Sequence, residues 1–366
     1  MANPVPPNGP PPKVPLTLRR FDEILGMTFD ETDNVLGDRQ LAKGENSCIV
    51  GPPGADKTRL IMQLAIAGIV GRDFLGMPIN GRTLRWLFLQ VENSNRRLHI
   101  DLSYFKRWVD DATLWKSVVD QCIVHTLEND TDGLVFLDNW TNREKLAEAI
   151  DITKPDVVPW DSLQNYAVGD LNRDNDMFKS LHEISMLTKR GNPHAIPLVI
   201  HHALTGRAGA IKAIGLEKGG YSRNSKALTA WTRSQINVAV ASPNSYETVV
   251  IACGKCSNGK EFEPFAAKFN EDTHIYELDE TFDIEKWLAS VKKNKVDTHK
   301  IPDEIVVEAC EGSAMNKNDL FVNIRRKSNI DASEATVYRA IDRVVKARKL
   351  RFAKKTGTYA RPANGE

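Results

Sequence analysis

The segment Gly51-Pro52-Pro53-Gly54-Ala55-Asp56-Lys57-Thr58 carries the densest chemistry in this chain. Its spacing is that of a glycine-rich loop whose main-chain amides wrap a phosphate. The lysine then reaches the β- and γ-phosphates, and the threonine hydroxyl sits on Mg²⁺. Seven of the eight positions fit that pattern, and the exception is Asp56, where the pattern asks for glycine. Glycine serves there because the backbone comes close to the anion. A carboxylate would set a like charge against the phosphates, costing ~4 kcal/mol per unit charge at about 4 Å and an effective dielectric of about 20. A micromolar site has only about 8 kcal/mol in all. Either Asp56 weakens binding strongly or its side chain turns outward, and the residues leave both open.

Two acids and a histidine pair follow apolar runs. Asp161 closes Val157-Val158-Pro159-Trp160, where an acid orders the water on a magnesium ion. Glu92 follows Leu84–Leu89 in Gln90-Val91-Glu92-Asn93, placed to polarise an attacking water. Acids at strand ends are also commonly just solvated. His201-His202 ends a third run. Neighbours on a strand point to opposite faces and do not chelate one metal together. A hydrogen-bonding sensor of the γ-phosphate suits the pair better, because parallel sheets gather ligands at the carboxyl ends of their strands. Cys253-Gly254-Lys255-Cys256 has redox or zinc spacing, but there is no second such pair among five cysteines. It reads as an ordinary reduced pair.

The elements that must hold these residues alternate. Cys48-Ile49-Val50 is a short strand feeding the loop, and Arg59 to Val70 has helical spacing. Strand, loop and helix in that order are what a phosphate loop requires. Further strands are expected at 84–89, 122–127, 156–161 and 195–201, with helices at 97–118, 142–150 and 176–189. That alternation predicts an α/β fold with a mostly parallel central sheet covered on both faces. A helix at 225–233, strands at 236–240 and 248–253, and a hairpin of 265–269 with 274–278 complete the core near Asp279.

The order of these motifs resembles that of the RepA-type hexameric replicative helicases of plasmids and phages, and of a wider set of bacterial RecA-like ATPases. The quoted runs are Gly-Pro-Pro-Gly-Ala-x-Lys-Thr, Val-Glu-Asn, Val-Val-x-x-Asp, Ile-His-His and Arg223 through Arg233, within roughly residues 36–280. The resemblance implies a RecA-like P-loop NTPase core. Residues 51–58 would hold ATP and Mg²⁺, Glu92 would be the catalytic base and Asp161 the acid on the metal side. His202 would sense phosphate, and Arg233 would reach the ATP of a neighbouring subunit. Lys255 would be a second cation acting across that boundary. An arginine supplied in trans makes assembly, as a hexamer in that family, a condition of activity. Without the resemblance, a surface arginine on an amphipathic helix is the favoured reading of Arg233. Arg207, Lys212 and Lys218 lie in the glycine-rich stretch 206–220, where rings of this kind hold single-stranded DNA; a plain loop is the alternative.

The last part looks like a separate small domain. Three helical stretches, the third from Ser333 to Arg348, precede a hairpin of 350–353 and 358–360. This is the winged-helix order, with Ser333 or Asp331 as the cap of the third helix. Arg339, Arg343, Lys346, Arg348, Lys349, Arg351, Lys354 and Lys355 crowd this region with Asp342 as its lone acid, a pattern suited to DNA phosphates. A solvated basic surface or a protein-docking wing has the same composition.

Bulk properties set the outer bounds. The 366 residues suit two domains, and 41% hydrophobic with 27% charged residues is a globular balance. Net charge is only +1, so partners must be read from local clusters. No run approaches the ~20 apolar residues of a membrane span, and the start of the chain lacks the layout of a signal peptide, so a cytoplasmic protein is expected. Residues 1–15 hold seven prolines and read as a disordered tail. The expected division is then a core over 16–280, its first part to Gly44 linker-like, a charged helix and linker over 281–301, and the small domain over 302–362. Three functions stay open: an ATP-driven DNA motor, a nucleotide-gated DNA binder with feeble hydrolysis, and a scaffold in which the small domain does the work.

Overall fold

The phosphate loop hangs from the middle of a nine-stranded sheet. In the computed structural model, which describes residues 19–127, 135–204, 206–215, 217–223, 226–242, 245–293, 301–311, 314–328 and 334–362, these strands are β1 (Ser47–Gly51), β2 (Trp86–Gln90), β3 (Cys122–Val124), β4 (Val157–Asp161), β5 (Ile196–His202), β6 (Ser234–Ser242), β7 (Ser245–Cys256), β8 (Phe265–Asn270) and β9 (Ile275–Leu278). Their order across the sheet is β9-β8-β7-β6-β1-β5-β4-β2-β3. From β6 to β3 every pairing is parallel, and the rest is an antiparallel meander. Strands β1, β2 and β4 are buried along their whole length, which is why their sequences are unbroken apolar runs rather than alternating ones. The expected α/β core with a mostly parallel sheet is therefore what the chain forms.

Helices cover the parallel half: α1 (Lys57–Val70), α2 (Asn95–Val109), α3 (Ala112–Gln121), α4 (Trp140–Thr153), α5 (Asp174–Thr188), α6 (Gly206–Ile214) and α7 (Ala227–Trp231). Helix α1 is buried on nearly all sides, so its sequence has no polar stripe. The single helix expected over 97–118 is two. Asp110 ends α2 in a left-handed conformation, and Asp111 caps α3 by accepting from the Leu114 amide at 2.8 Å. Adjacent aspartates thus supply a stop and a start inside one apolar periodicity.

Two segments differ from expectation. The linker-like stretch up to Gly44 holds a short helix, Phe21–Leu25, and a hairpin of Asn34–Leu36 with Leu41–Ala42 whose Val35, Leu36 and Leu41 are buried in the core. The glycine-rich stretch 206–220, expected as a loop, is helix α6 followed by a 3₁₀ turn at Lys218–Gly220. Of the expected charged helix and linker, Ile284–Lys293 is a helix, while residues 294–300, the proline-rich residues 1–15 and the expected caps Asp331 and Ser333 lie outside the described residues. Among those described, no helix is long and apolar enough to cross a membrane.

The chain divides into two units, one through Ile284 and the other from Glu285. In the second, α8 (Asp303–Glu308), α9 (Lys317–Ser328) and α10 (Glu334–Lys346) enclose Ile301, Val306, Leu320, Ile324, Val337, Ile341 and Val344. Strands β10 (Met315–Asn316), β11 (Arg351–Ala353) and β12 (Thr358–Ala360) form an antiparallel sheet in the order β10-β12-β11. Strand β10 is too short to signal itself in sequence.

Asp303 ties this unit together. Arg343 Nε donates to it at 2.8 Å and Lys349 Nζ at 2.9 Å, while Arg343 also reaches the Ile301 carbonyl at 2.9 Å. Burial pulls the Asp303 carboxyl upward, but Lys349 and Arg343 outweigh it and hold it below the usual value of 3.8. A carboxyl depressed in the folded state contributes stability above its unfolded pKa and loses it as pH falls through the folded one. Asp303→Asn should therefore destabilise this unit by about 1 kcal/mol near neutral pH. In urea melts the gap to the parent should close as the pH is taken down below 3.8. A gap that persists there would show that the contacts are not electrostatic.

Candidate functional site

Close contacts and left-handed residues fix the backbone of the loop between β1 and α1. A Cβ on Gly51 would lie 2.8 Å from the Val238 carbonyl oxygen, so no other residue fits there. Gly54 has φ +79° and Asp56 +48°. The second value explains what the pattern demands at this position: a left-handed residue, which glycine adopts freely and aspartate tolerates better than most. Asp56 makes no side-chain cap on α1, which leaves the first-turn amides to an anion.

The Asp56 carboxylate is turned to the side of the loop and neutralised there. Arg59 donates to it from one helical turn on, and the Tyr276 hydroxyl on β9 donates at 3.4 Å. Arg59 is itself buried, donating to Asp101 at 2.9 Å and lying 4.8 Å over the Phe269 ring. Asp101 in turn takes Arg97 at 3.0 Å. Gln63 holds β9 against α1 by accepting from the Tyr276 amide at 2.9 Å and donating to its carbonyl at 2.7 Å. The outward-turned alternative is thus the one realised, and the repulsion expected from sequence is largely cancelled by the Arg59 guanidinium.

Lys57 is buried, and its ammonium donates to the Pro52 carbonyl at 2.9 Å. Burial lowers its pKa against the pull of Asp161, Glu92 and Asp56. Thr58 donates its hydroxyl to Asp161. Burial pushes the Asp161 carboxyl up to about 6; the Thr58 bond opposes this, Glu92 adds to it and Lys57 opposes it. A hydroxyl beside a buried carboxylate is a hard-oxygen pair suited to Mg²⁺, which takes few protein ligands and completes its shell with water and phosphate. Such a cation would return Asp161 to its ionised form.

Register places the other groups. Gln90 pairs with Asp161 across β2 and β4, and Gly51 with His202 across β1 and β5. The Gln90 side chain accepts from the Asn93 amide at 2.8 Å and donates to the His125 carbonyl at 2.8 Å, bracing the turn that carries Glu92. Ser162 Oγ donates to Glu92 at 2.9 Å and Asn165 Nδ2 at 3.2 Å. An exposed carboxylate aimed by two donors beside Asp161 has the placement of a base for water. His202 is half-buried, its pKa lowered by burial and then by Lys57. His201 is fully buried, bonds the Arg223 carbonyl at 3.3 Å, and is pushed by burial down to about 4. Both line a polar cleft of about 390 Å³ with Arg223, Gln164, Asp170 and Asn172.

Arg233 and Lys255 sit elsewhere. Ser47 pairs with Ser234, so Arg233 lies at the amino end of β1, four residues or roughly 13 Å from Gly51. Its side chain is exposed, and its amide donates to the Asn46 carbonyl at 2.8 Å. Lys255, expected as a second outward cation, instead donates to the Thr229 and Thr232 carbonyls at 2.7 Å each. The last carbonyls of a helix need donors, and Lys255 supplies them at the end of α7, beside Arg233. Lys212 is paired with Glu217 at 3.4 Å and Lys218 with Glu261 at 2.5 Å. Arg207 lies in α6, its side chain outside the described residues. In the second unit, Arg343 and Lys349 are engaged by Asp303, while Arg339, Lys346, Arg348, Arg351, Lys354 and Lys355 are exposed.

Sequence reasoning missed the partners rather than the principals. Arg59 was in reach, three residues from Asp56 on a helix. Ser162 and Asn165 had no motif to announce them, and Tyr276 lies 220 residues from Asp56. The geometry makes Arg59 the test. Asp56→Gly should raise Mg-ATP affinity by less than about tenfold, while Arg59→Ala should lower it by about tenfold or more, because the carboxylate is then uncompensated. Adding Asp56→Gly to Arg59→Ala should recover most of that loss in calorimetry. Strictly additive effects would contradict the pairing.

Comparison with known proteins agrees with this geometry. The signature of a family described as AAA domain matches residues 12–208. Among solved structures, the chain is similar to a KaiC-like protein from the hyperthermophilic archaeon Pyrococcus horikoshii OT3, at 11% identity over 65% of this chain and 90% of that one, with a TM-score of 0.41. It is similar also to the RadB recombinase, at 13% identity over 65% and 92%, with a TM-score of 0.41. Both likenesses are too distant to bear on function. Among curated proteins no match is found. The family signature spans more than half of the 366 residues and takes in the phosphate loop and both acids, so this chain belongs to the AAA domain family of P-loop ATPases.

Proposed function

We propose that this protein is an ATP-driven motor on DNA, a ring-forming helicase of the RepA type in which hydrolysis is coupled to translocation along a single strand in the cytoplasm. The observation that carries the reading is the split of the catalytic set. Lys57, Thr58, Asp161 and Glu92 converge at the carboxyl end of the sheet, whereas exposed Arg233 stands at its other end, out of reach of its own loop. An arginine so placed serves a neighbour's nucleotide, and the natural closed form of a head-to-tail contact is a ring.

In this reading the loop amides and Lys57 bind the triphosphate, and Thr58 with Asp161 holds Mg²⁺. Magnesium supplies charge neutralisation at the phosphates. Glu92, aimed by Ser162 and Asn165, takes the proton of the attacking water. His202, next to Gly51 in the sheet, registers the phosphate. The second unit, in which α8, α9 and α10 pack with a three-stranded sheet, acts as a winged helix that holds duplex or forked DNA through Arg339, Lys346, Arg348, Arg351, Lys354 and Lys355. Lys212 and Lys218 reach the single strand by exchanging their acidic partners for phosphates. Asp56 in the loop favours one alternative: a nucleotide-gated DNA binder with weak hydrolysis, acting in replication initiation, repair or mobile-element control.

The two part on turnover. A motor hydrolyses ATP faster with single-stranded DNA and opens forked duplexes; a gated binder changes its DNA affinity with ATP while turnover stays at background. Arg233→Ala and Glu92→Gln should each be inactive but bind Mg-ATP, and mixing them should restore part of the activity. Absence of recovery at every ratio sinks the role in trans. Replacing Lys354 and Lys355 by alanine should weaken DNA binding evenly across sequences and flatten the salt dependence by about one phosphate contact per lysine. An unchanged salt slope would remove the second unit from the DNA.

A further inference from the structure

Gly254, in the motif Cys253-Gly254-Lys255-Cys256, stands against two buried amides. Gln235 and Asn237 are each 0% exposed on β6, at positions where an apolar side chain is the rule. Pairing of β6 with β7 shifts register between Gln235 and Ile236, and Gly254 is the extra residue. A Cβ there would lie 2.6 Å from Asn237 Oδ1 and 2.8 Å from Gln235 Nε2, so any larger residue displaces the pair.

Both amides reach across to α6 and the 3₁₀ turn that follows it. Asn237 Nδ2 donates to the Ala213 carbonyl at 2.8 Å and to the Lys218 carbonyl at 2.9 Å, while Asn237 Oδ1 accepts from Gln235 Nε2 at 2.8 Å. Gln235 Nε2 also donates to the Lys218 carbonyl at 3.3 Å. Ala213 lies in the last turn of α6, whose carbonyls have no partner within the helix. Two further bonds complete the clasp. Thr229 Oγ1 on α7 donates to the Gly219 carbonyl at 2.7 Å, and the Tyr221 hydroxyl donates to the Val238 carbonyl at 3.1 Å. The segment needs such fastening, because residues 206–220 hold five glycines and glycine is the poorest helix former after proline.

We propose that Gln235 and Asn237 are positioning residues for single-stranded nucleic acid, holding α6 and the 3₁₀ turn in the one arrangement that presents Lys212 and Lys218 together. The inference rests on the reading above, in which these two lysines take phosphates. Lys212 precedes Ala213, and Lys218 itself supplies the second carbonyl, so the amides fix the backbone at both cations. Their acidic partners, Glu217 and Glu261, are exposed, and such surface pairs are weak enough to exchange for phosphate. A prearranged pair of cations binds a polyanion without the ordering loss that a loose glycine-rich loop would incur. A satisfied buried amide also specifies one geometry, where an apolar side chain would only fill space.

The test measures binding of a labelled oligothymidylate across a salt series, by fluorescence anisotropy, in the full chain. It compares the parent with Asn237→Leu and with Gly254→Ala, which presses a methyl onto the amides from the neighbouring strand. Each variant should bind the oligonucleotide about tenfold or more weakly and lose roughly one to two phosphate contacts from its salt slope. Mg-ATP binding should stay that of the parent. Hydrogen exchange should quicken over residues 206–221 and hold elsewhere in the sheet. On a Lys212→Ala/Lys218→Ala background, Asn237→Leu should cost almost nothing further, because the cations it positions are gone. Exchange that does not quicken, a loosened segment with parental affinity and salt slope, or losses that add in full to those of the lysine pair would each overturn the proposal. If the lysine pair proves silent toward the oligonucleotide, the single-strand reading of this segment falls and takes the proposal with it. If the lysines matter and Asn237→Leu does not, this inference alone fails.

Discussion

The buried ammonium of Lys57 is the constraint on which the site depends. Its hydrogen bond within the chain goes to the Pro52 carbonyl, and its opposite charges, Asp161 and Glu92, act through space. Burying a cation without full pairing is unfavourable, and burial already lowers its pKa. A phosphate between the ammonium and the loop amides removes that cost. Asp161 has the complementary need, a carboxylate pushed up to about 6 by burial. One magnesium-bound polyphosphate satisfies both.

The sheet converts that local need into a machine. In-register parallel pairing of β1 with β5 and of β2 with β4 puts His202 beside Gly51 and Asp161 beside Gln90. The carboxyl ends of four strands thus meet at one edge without any long-range side-chain fit. The same pairing carries Arg233 to the opposite edge through its neighbour Ser234. A parallel sheet has two unlike ends; here the phosphate loop, Asp161 and Gln90 lie at one and Arg233 at the other.

What was legible in sequence follows from which forces are local. The phosphate loop, the buried strands and the acids that end them are written in consecutive residues, and each appears where its pattern says. The break between α2 and α3 was hidden because the apolar periodicity runs through it while Asp110 and Asp111 do the punctuating. Asp56 stayed open in sequence for a related reason: its charge was visible, but the arginine and tyrosine that compensate it come together only in the fold. Lys255 shows the converse, a cation whose position suggested an outward role and whose ammonium the carbonyls of α7 claim. In the small unit, the basic run looked uniform, yet Asp303, some forty residues earlier, engages Arg343 and Lys349.

The most direct test of the central claim is calorimetric titration of Mg-ATP into the full chain and into Lys57→Ala. The account predicts saturable binding to the parent in the micromolar range and its loss in the variant, with the fold of both unchanged by circular dichroism. Equal binding by the two, or no binding to the parent even after Asp56→Gly, would contradict it.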